Sequence, residues 1–275
     1  MVVLVVDVVG GVDLIDGTEI AYFTSGNGPP LVLVHGTPAD YTRWRPLLPY
    51  LESHTTVHAM DRRGRGGSGD AEEYALEREY EDVAAVVDAV AELSGSTVDV
   101  YGHSHGGFCA FGAAAMTSNI HKLILYEGWP VPNPTVFALP VEVEQRMDKL
   151  LAEGDRDAVV ETMFRHYELM SEDDLAALRA APSWPGRVAA AHTITRECRA
   201  EAQAALDAQV AAKVTVPVLL LVGEQSSDPC KAHVEAVAAV LPDARIEVLE
   251  GQEHVADILV PKTFSEYVMA FLRES

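Results

Sequence analysis

"VYGHSHGGFC", residues Val100 to Cys109, sets a serine between two histidines, with Gly102 before it and Gly106 and Gly107 after it. The apolar run Val98–Tyr101 leads into it, and the small-residue stretch "FCAFGAAAMTS" follows. A bare Gly-x-Ser-x-Gly is common by chance. A strand before it and a helix after it make the context specific, because the chain must then turn too tightly for a Cβ at the flanking positions. Gly102 and Gly106 supply that clearance and leave Ser104 at the tip. Its hydroxyl is then expected above the carboxyl ends of the strands, beside the N-terminus of the next helix, where a nucleophile is wanted.

Outward from Ser104, short apolar runs alternate with amphipathic stretches up to about residue 130. "GTEIAYFTSG", "PPLVLVHG", "TTVHAMDRRG", "STVDVYG" and "HKLILYEG" read as strands, and "EYEDVAAVVDAVAEL" places apolar residues at helical spacing. Alternation of this kind predicts βαβ units and an α/β fold, a mostly parallel central sheet flanked by helices. From "WPVPNP" to about Lys213 the strand signals stop. Four helices are expected there, "VEVEQRMDKLLAEG", "DRDAVVETMFRHYELM", "SEDDLAALRAA" and "GRVAAAHTITRECRAEAQAALDAQV", with Asp155 and Ser171 as N-caps. The α/β pattern then resumes with "VTVPVLLLVGE", "CKAHVEAVAAVLP", "ARIEVLEG" and the closing helix "FSEYVMAFLRES". The organisation expected is a core of residues 1–130 and 214–275 interrupted by a helical insert, 131–213.

A chain of 275 residues can bury a sizeable core without staples. Its formal net charge of −22 argues against nucleic acid and against an anionic membrane surface, both of which need Lys and Arg. The three cysteines, Cys109, Cys198 and Cys230, are far apart and show no metal-ligand spacing, which fits reduced thiols in a cytoplasmic protein. "MVVLVVDVVGGVDLIDG" is interrupted early by Asp7 and has no basic region before it, so it reads as a first strand rather than a signal peptide or membrane span. No cofactor and no metal is called for, and the expected partner is a small-molecule substrate.

These segments together resemble the α/β-hydrolase superfamily over nearly the whole length. "LVLVHGTP" is similar to the family's strand and His-Gly loop, "MDRRGRGGS" to its Asp-x-Arg-Gly-x-Gly-x-Ser segment, "VYGHSHGG" to its nucleophile elbow and "EGQEHVA" to its histidine loop. The insert after the sixth strand lies where the family keeps a helical cap. The resemblance implies a catalytic triad. A serine hydroxyl needs a histidine to take its proton and a carboxylate to fix that histidine's tautomer. His254, after the last strand and Gly251, holds the family's position for the base. The usual acid position, about three residues beyond the glycine of "PVLLLVG", is Ser226 here. Asp228 lies two residues further, and Glu127 in "LILYEGWP" fits the sixth-strand position that some members use. A carboxylate ending a buried strand is costly unless it is partnered, and His254 would be its partner. Glu127 is therefore the preferred acid, with Asp228 as the alternative.

For the oxyanion hole the resemblance implies the backbone N–H groups of Thr37 and His105, with the Thr37 hydroxyl as a further candidate donor and the His105 ring expected to line the pocket. His35, Asp61, Arg62 and Arg65 are expected to fix loops, the last three through ion pairs. Serine at the nucleophile position argues against the halide and epoxide chemistry of relatives that use aspartate. Acyl chemistry remains: hydrolysis of a small hydrophobic ester or lactone by a carboxylesterase-like enzyme, or carbon–carbon cleavage of diketone ring-cleavage products. A ligand-binding protein without turnover is the non-enzymatic alternative. Trp129, Phe137 and Phe108 are the first candidates for substrate contact, followed by Tyr41, Met163, His166 and Trp184.

Overall fold

The computed structural model describes residues 7–14, 16–166 and 171–274, with all their side chains except those of residues 7–9, 137, 228–230 and 232. Eight strands form one sheet: β1 (Asp7–Asp13), β2 (Glu19–Gly26), β3 (Pro30–Val34), β4 (Thr56–Met60), β5 (Val98–His103), β6 (Ile120–Tyr126), β7 (Val218–Gly223) and β8 (Ala244–Leu249). Their order is β1-β2-β4-β3-β5-β6-β7-β8. β2 runs antiparallel to both its neighbours, and every other pairing is parallel. β3, β5 and β7 are buried at every position, as strands covered on both faces must be, which is why they read as continuous apolar runs.

Helices cover both faces. α1 (Leu48–Leu51), α2 (Leu76–Ser94) and α3 (His105–Ala114) lie before the insert; α10 (Asp228–Ala238), α11 (Ala256–Leu259) and α12 (Pro261–Arg273) lie after it. Alternate residues of each strand go to opposite cores. Val32, Val34, Leu123 and Leu125 join Val83, Val87 and Val237 in one cluster, while Leu31, Leu33, Ile124 and Tyr126 join Leu51, Phe264 and Val268 in the other.

The insert contains α4 (Val141–Ala152), α5 (Arg156–His166), α6 (Glu172–Arg179), α7 (Trp184–Ala189), α8 (Ala191–Glu201) and α9 (Ala208–Ala211). It has its own apolar cluster, built around Met147, Val159, Met163, Trp184 and Ile194. Ser171 caps α6 by accepting from the Asp174 N–H, and Asp155 accepts from the Ala158 N–H at the start of α5. The long last helix expected from the sequence is instead three. Thr193 Oγ1 donates to the Ala190 carbonyl where α7 gives way to α8. After α8 the chain runs beside Val131, bridging Val131 to Ala205 and bonding the Leu206 N–H to the Val131 carbonyl, before Asp207 caps α9. Among the described residues no helix is long and apolar enough to cross a membrane.

Candidate active site

Ser104 joins β5 to α3 at φ 53° and ψ −131°. Among the described residues only two that are not glycine have positive φ, Ser104 and Glu127 at 45°. Such backbone is unfavourable for an L-residue and persists only where the surroundings hold it, so it marks both positions as sites of local demand. Ser104 is held by its N–H donating to the Tyr126 carbonyl at 2.9 Å and its carbonyl accepting from Gly107 at 2.7 Å. A Cβ on Gly106 would lie 2.2 Å from the Val34 carbonyl oxygen, so α3 packs this closely on β3 only with glycine there. A Cβ on Gly36 would lie 2.7 Å from the Cβ of Ser104, which brings the loop after β3 against the serine.

Glu127 follows β6, and His254 lies on the loop between β8 and α11. His254 Nδ1–H donates to Glu127 Oε2 at 2.7 Å. The other carboxylate oxygen, Oε1, accepts from the Gly223 N–H at 2.8 Å and from the Ser226 hydroxyl. Serine at the family's usual acid position thus supports a carboxylate arriving from the neighbouring strand. Burial pushes the Glu127 carboxyl upward, but the hydrogen bonds from His254, Ser226 and Gly223 outweigh it and keep it below its ordinary value. With Nδ1 committed as a donor, Nε2 is the nitrogen able to take a proton.

The histidine loop is clamped by three buried groups. The Tyr126 hydroxyl donates to the Glu253 carbonyl and accepts from the Ala256 N–H at 3.1 Å, bracketing His254. His103 Nε2–H donates to the His254 carbonyl at 2.8 Å, and the two imidazole rings stand 4.6 Å apart. Burial keeps the His103 ring neutral, well below the usual imidazole value. Arg43, on the short turn Tyr41–Trp44, pairs with Asp257 of α11 at 2.8 Å. Since His103 precedes Ser104, its bond brings the His254 loop to the serine turn.

On the other side of Ser104 lies a buried cluster of charge. Arg62 bonds Glu79 of α2 at 2.8 Å and Glu197 of α8 at 2.7 Å; Arg65 bonds the same Glu197 and the Thr193 hydroxyl. Burial pushes Glu197 up, but Arg62 and Arg65 bring it down to about 2. His105 Nδ1–H donates to Glu201 at 2.7 Å. The Tyr74 hydroxyl gives its proton to Glu79 at 2.9 Å and so can only accept from His105 Nε2, 3.2 Å away. Both ring nitrogens therefore donate, and His105 is an imidazolium. Burial and the Arg62 charge oppose that form, but its hydrogen bond to Glu201 holds the ring well above the usual imidazole value. Glu79, His105 and Cys109 place possible metal-ligating atoms within 4.8 Å of one another, yet Glu79 is paired with Arg62 and His105 has no lone pair to offer.

These contacts change several expectations. The His105 ring is fully buried in the cluster and does not line a pocket. The Thr37 hydroxyl donates to Glu197 and is not available to a substrate oxygen. Arg62 and Arg65 pair with Glu79 and Glu197 rather than with Asp61, which instead accepts from the backbone N–H groups of Tyr41 at 2.7 Å and Gly67 at 2.8 Å. His35 does hold a loop, its Nε2 accepting from the Arg62 N–H at 3.3 Å. As first residue of α3, His105 has an N–H with no carbonyl behind it in the helix. Among the described residues the Thr37 N–H has no hydrogen-bond partner either. Trp129 and Phe108 are packed, 3% and 5% exposed. Met163 and Trp184 belong to the insert's own cluster, Tyr41 stacks on Phe23 at 3.6 Å, and His166 is exposed. The side chains of Asp228 and Phe137 lie outside the described ones.

Residues gathered from the ends of parallel strands, at one edge of a sheet covered on both faces, define an α/β enzyme. The chain belongs to the alpha/beta hydrolase family, whose pattern matches residues 31–265. An alpha/beta hydrolase from Sphaerobacter thermophilus is 34% identical, with a TM-score of 0.81, over 96% of this chain and 100% of that one. A soluble epoxide hydrolase of a Corynebacterium species is 38% identical over 99 residues, 36% of this chain and 34% of its own. A pimeloyl-[acyl-carrier protein] methyl ester esterase of Aeromonas hydrophila is 27% identical over 90% of this chain and 96% of its own.

Proposed function

We propose that the protein is a serine hydrolase of small hydrophobic esters or lactones, acting through an acyl-enzyme. The hydrogen bond from His254 Nδ1–H to Glu127, on a loop bonded to the residue before Ser104, carries this reading. Ser104 Oγ attacks the acyl carbonyl while His254 Nε2 takes its proton. Glu127 holds the tautomer and stabilises the imidazolium. The negative charge on the carbonyl oxygen is met by the N–H groups of Thr37 and His105. His254 then protonates the leaving alkoxide, and a water deprotonated by the same ring releases the acid. Residues 131–213 act as a cap over a core of residues 1–130 and 214–275, and the apolar side chains of both shape the acyl site. Serine in place of aspartate favours acyl transfer over epoxide opening, and the esterase among the relatives is consistent with it.

A fluorophosphonate probe followed by peptide mapping tests the nucleophile, with the label expected on Ser104. Turnover of a p-nitrophenyl acyl ester should fall by about 10⁴-fold or more in Ser104→Ala. Unchanged turnover in that variant overturns the reading. Comparing Glu127→Gln with Asp228→Asn tests the acid, the larger loss being expected for Glu127→Gln.

A further inference from the structure

Glu197 and Glu201 stand one turn apart on α8, one gripping a residue of the loop after β3 and the other the first residue of α3. Glu197 accepts from the Thr37 hydroxyl, and Glu201 accepts from His105 Nδ1–H at 2.7 Å. Thr37 and His105 are the two residues whose backbone N–H groups are assigned above to the oxyanion. Side chains at i and i+4 leave the same face of a helix about 6 Å apart, so one face of the insert spans both donors. Glu197 is also held by Arg62 and Arg65, and both glutamates, both arginines and His105 are buried, with Thr37 half-buried beside them.

We propose that α8 is a positioning element for the oxyanion hole, with Glu197 and Glu201 setting the two N–H donors in register through the side chains of Thr37 and His105. Neither glutamate touches a reacting atom. The cap is then part of the machinery that stabilises the transition state as well as a cover over the substrate, and withdrawing α8 would release both donors together. This inference rests on the acyl-transfer reading.

Thr37→Val tests it, because valine keeps the backbone N–H and the volume but loses the hydroxyl. Its kcat on a p-nitrophenyl ester should fall about 10- to 100-fold with KM changed less than about twofold. Affinity for a trifluoromethyl ketone, which adds Ser104 Oγ to give a tetrahedral oxyanion, should fall by the same factor as kcat/KM. Thr37→Ser should rescue most of the loss. Combined with Glu197→Met, which removes the acceptor, Thr37→Val should add nothing beyond Glu197→Met alone, since both act on one contact. If Glu197→Met does not fold, the Val and Ser variants decide. Parental kcat and ketone affinity in Thr37→Val, or a serine variant as impaired as the valine one, would overturn the inference. Turnover surviving in Ser104→Ala would instead sink the hydrolase reading itself, so the two failures are separable.

Discussion

Two buried carboxylates flank Ser104, and both are held below their ordinary pKa for opposite reasons. Glu127 is held by hydrogen bonds from a histidine, a hydroxyl and an amide, and among the described residues no arginine or lysine is bonded to it. Glu197 is held by Arg62 and Arg65 across the boundary between insert and core. The first arrangement leaves a charge whose partner can change protonation, as the proposed acyl transfer requires. The second cancels charge with groups that never titrate, as a fixed tie requires. Changing the first should therefore alter rate with little effect on stability, and changing the second should alter stability along with rate.

The largest separation should come from Glu127→Gln. It keeps shape but reverses the tautomer preference at His254, and kcat should drop about 10³- to 10⁴-fold in steady-state assays with the thermal midpoint little changed. A large fall in midpoint would show that Glu127 is a structural tie after all. Next comes Arg62→Met, which takes from the interior the one arginine bonded to Glu79 and one of the two bonded to Glu197. Denaturant unfolding should register a loss of about 3–5 kcal/mol. An unchanged midpoint would mean that the cluster relaxes at no cost and would remove the contrast. Smaller again is Ser226→Ala, which takes one donor from Glu127 and should lower kcat roughly tenfold, the scale of one hydrogen bond to a charged acceptor. The mildest perturbation is acid. Because the folded pKa of Glu197 lies below its unfolded value, its contribution to stability is complete above about 4.5 and is lost as pH falls toward about 2. Between these values the unfolded state binds more protons, so thermal midpoints should fall with decreasing pH, and less steeply in Glu197→Gln. Parallel slopes for the two proteins would place the acid sensitivity elsewhere.

The contrast also explains what was legible in the sequence. Ser104, Glu127, Thr37 and His105 each sit within a few residues of a strand end, and His254 sits on a glycine-bearing loop after the last strand. Their places next to strand ends, together with the family resemblance, single them out, and the parallel sheet brings those strand ends to one edge. Glu197 reaches Thr37 across 160 positions and Arg65 across 132, and no local pattern specifies such partners. A signal was present all the same: Glu197 and Glu201 fall on the buried face of α8 with Ala191, Ile194 and Cys198, where an unpaired carboxylate is costly. Acidic residues inside an apolar stripe should have raised the question of a buried cation. The single long helix expected for residues 186–210 failed for a related reason. Its alanine-rich sequence favours continuous helix, but the tertiary bridge to Val131 unwinds residues 202–207.

That bridge has an evolutionary corollary. Because the chain departs at Val131 and comes back at Ala205 alongside it, the segment enters and leaves the core at one place. Changes in its length before α8 can therefore arise while β6 and β7 keep their register, whereas α8 itself, through Glu197 and Glu201, has to be inherited together with the core residues it binds.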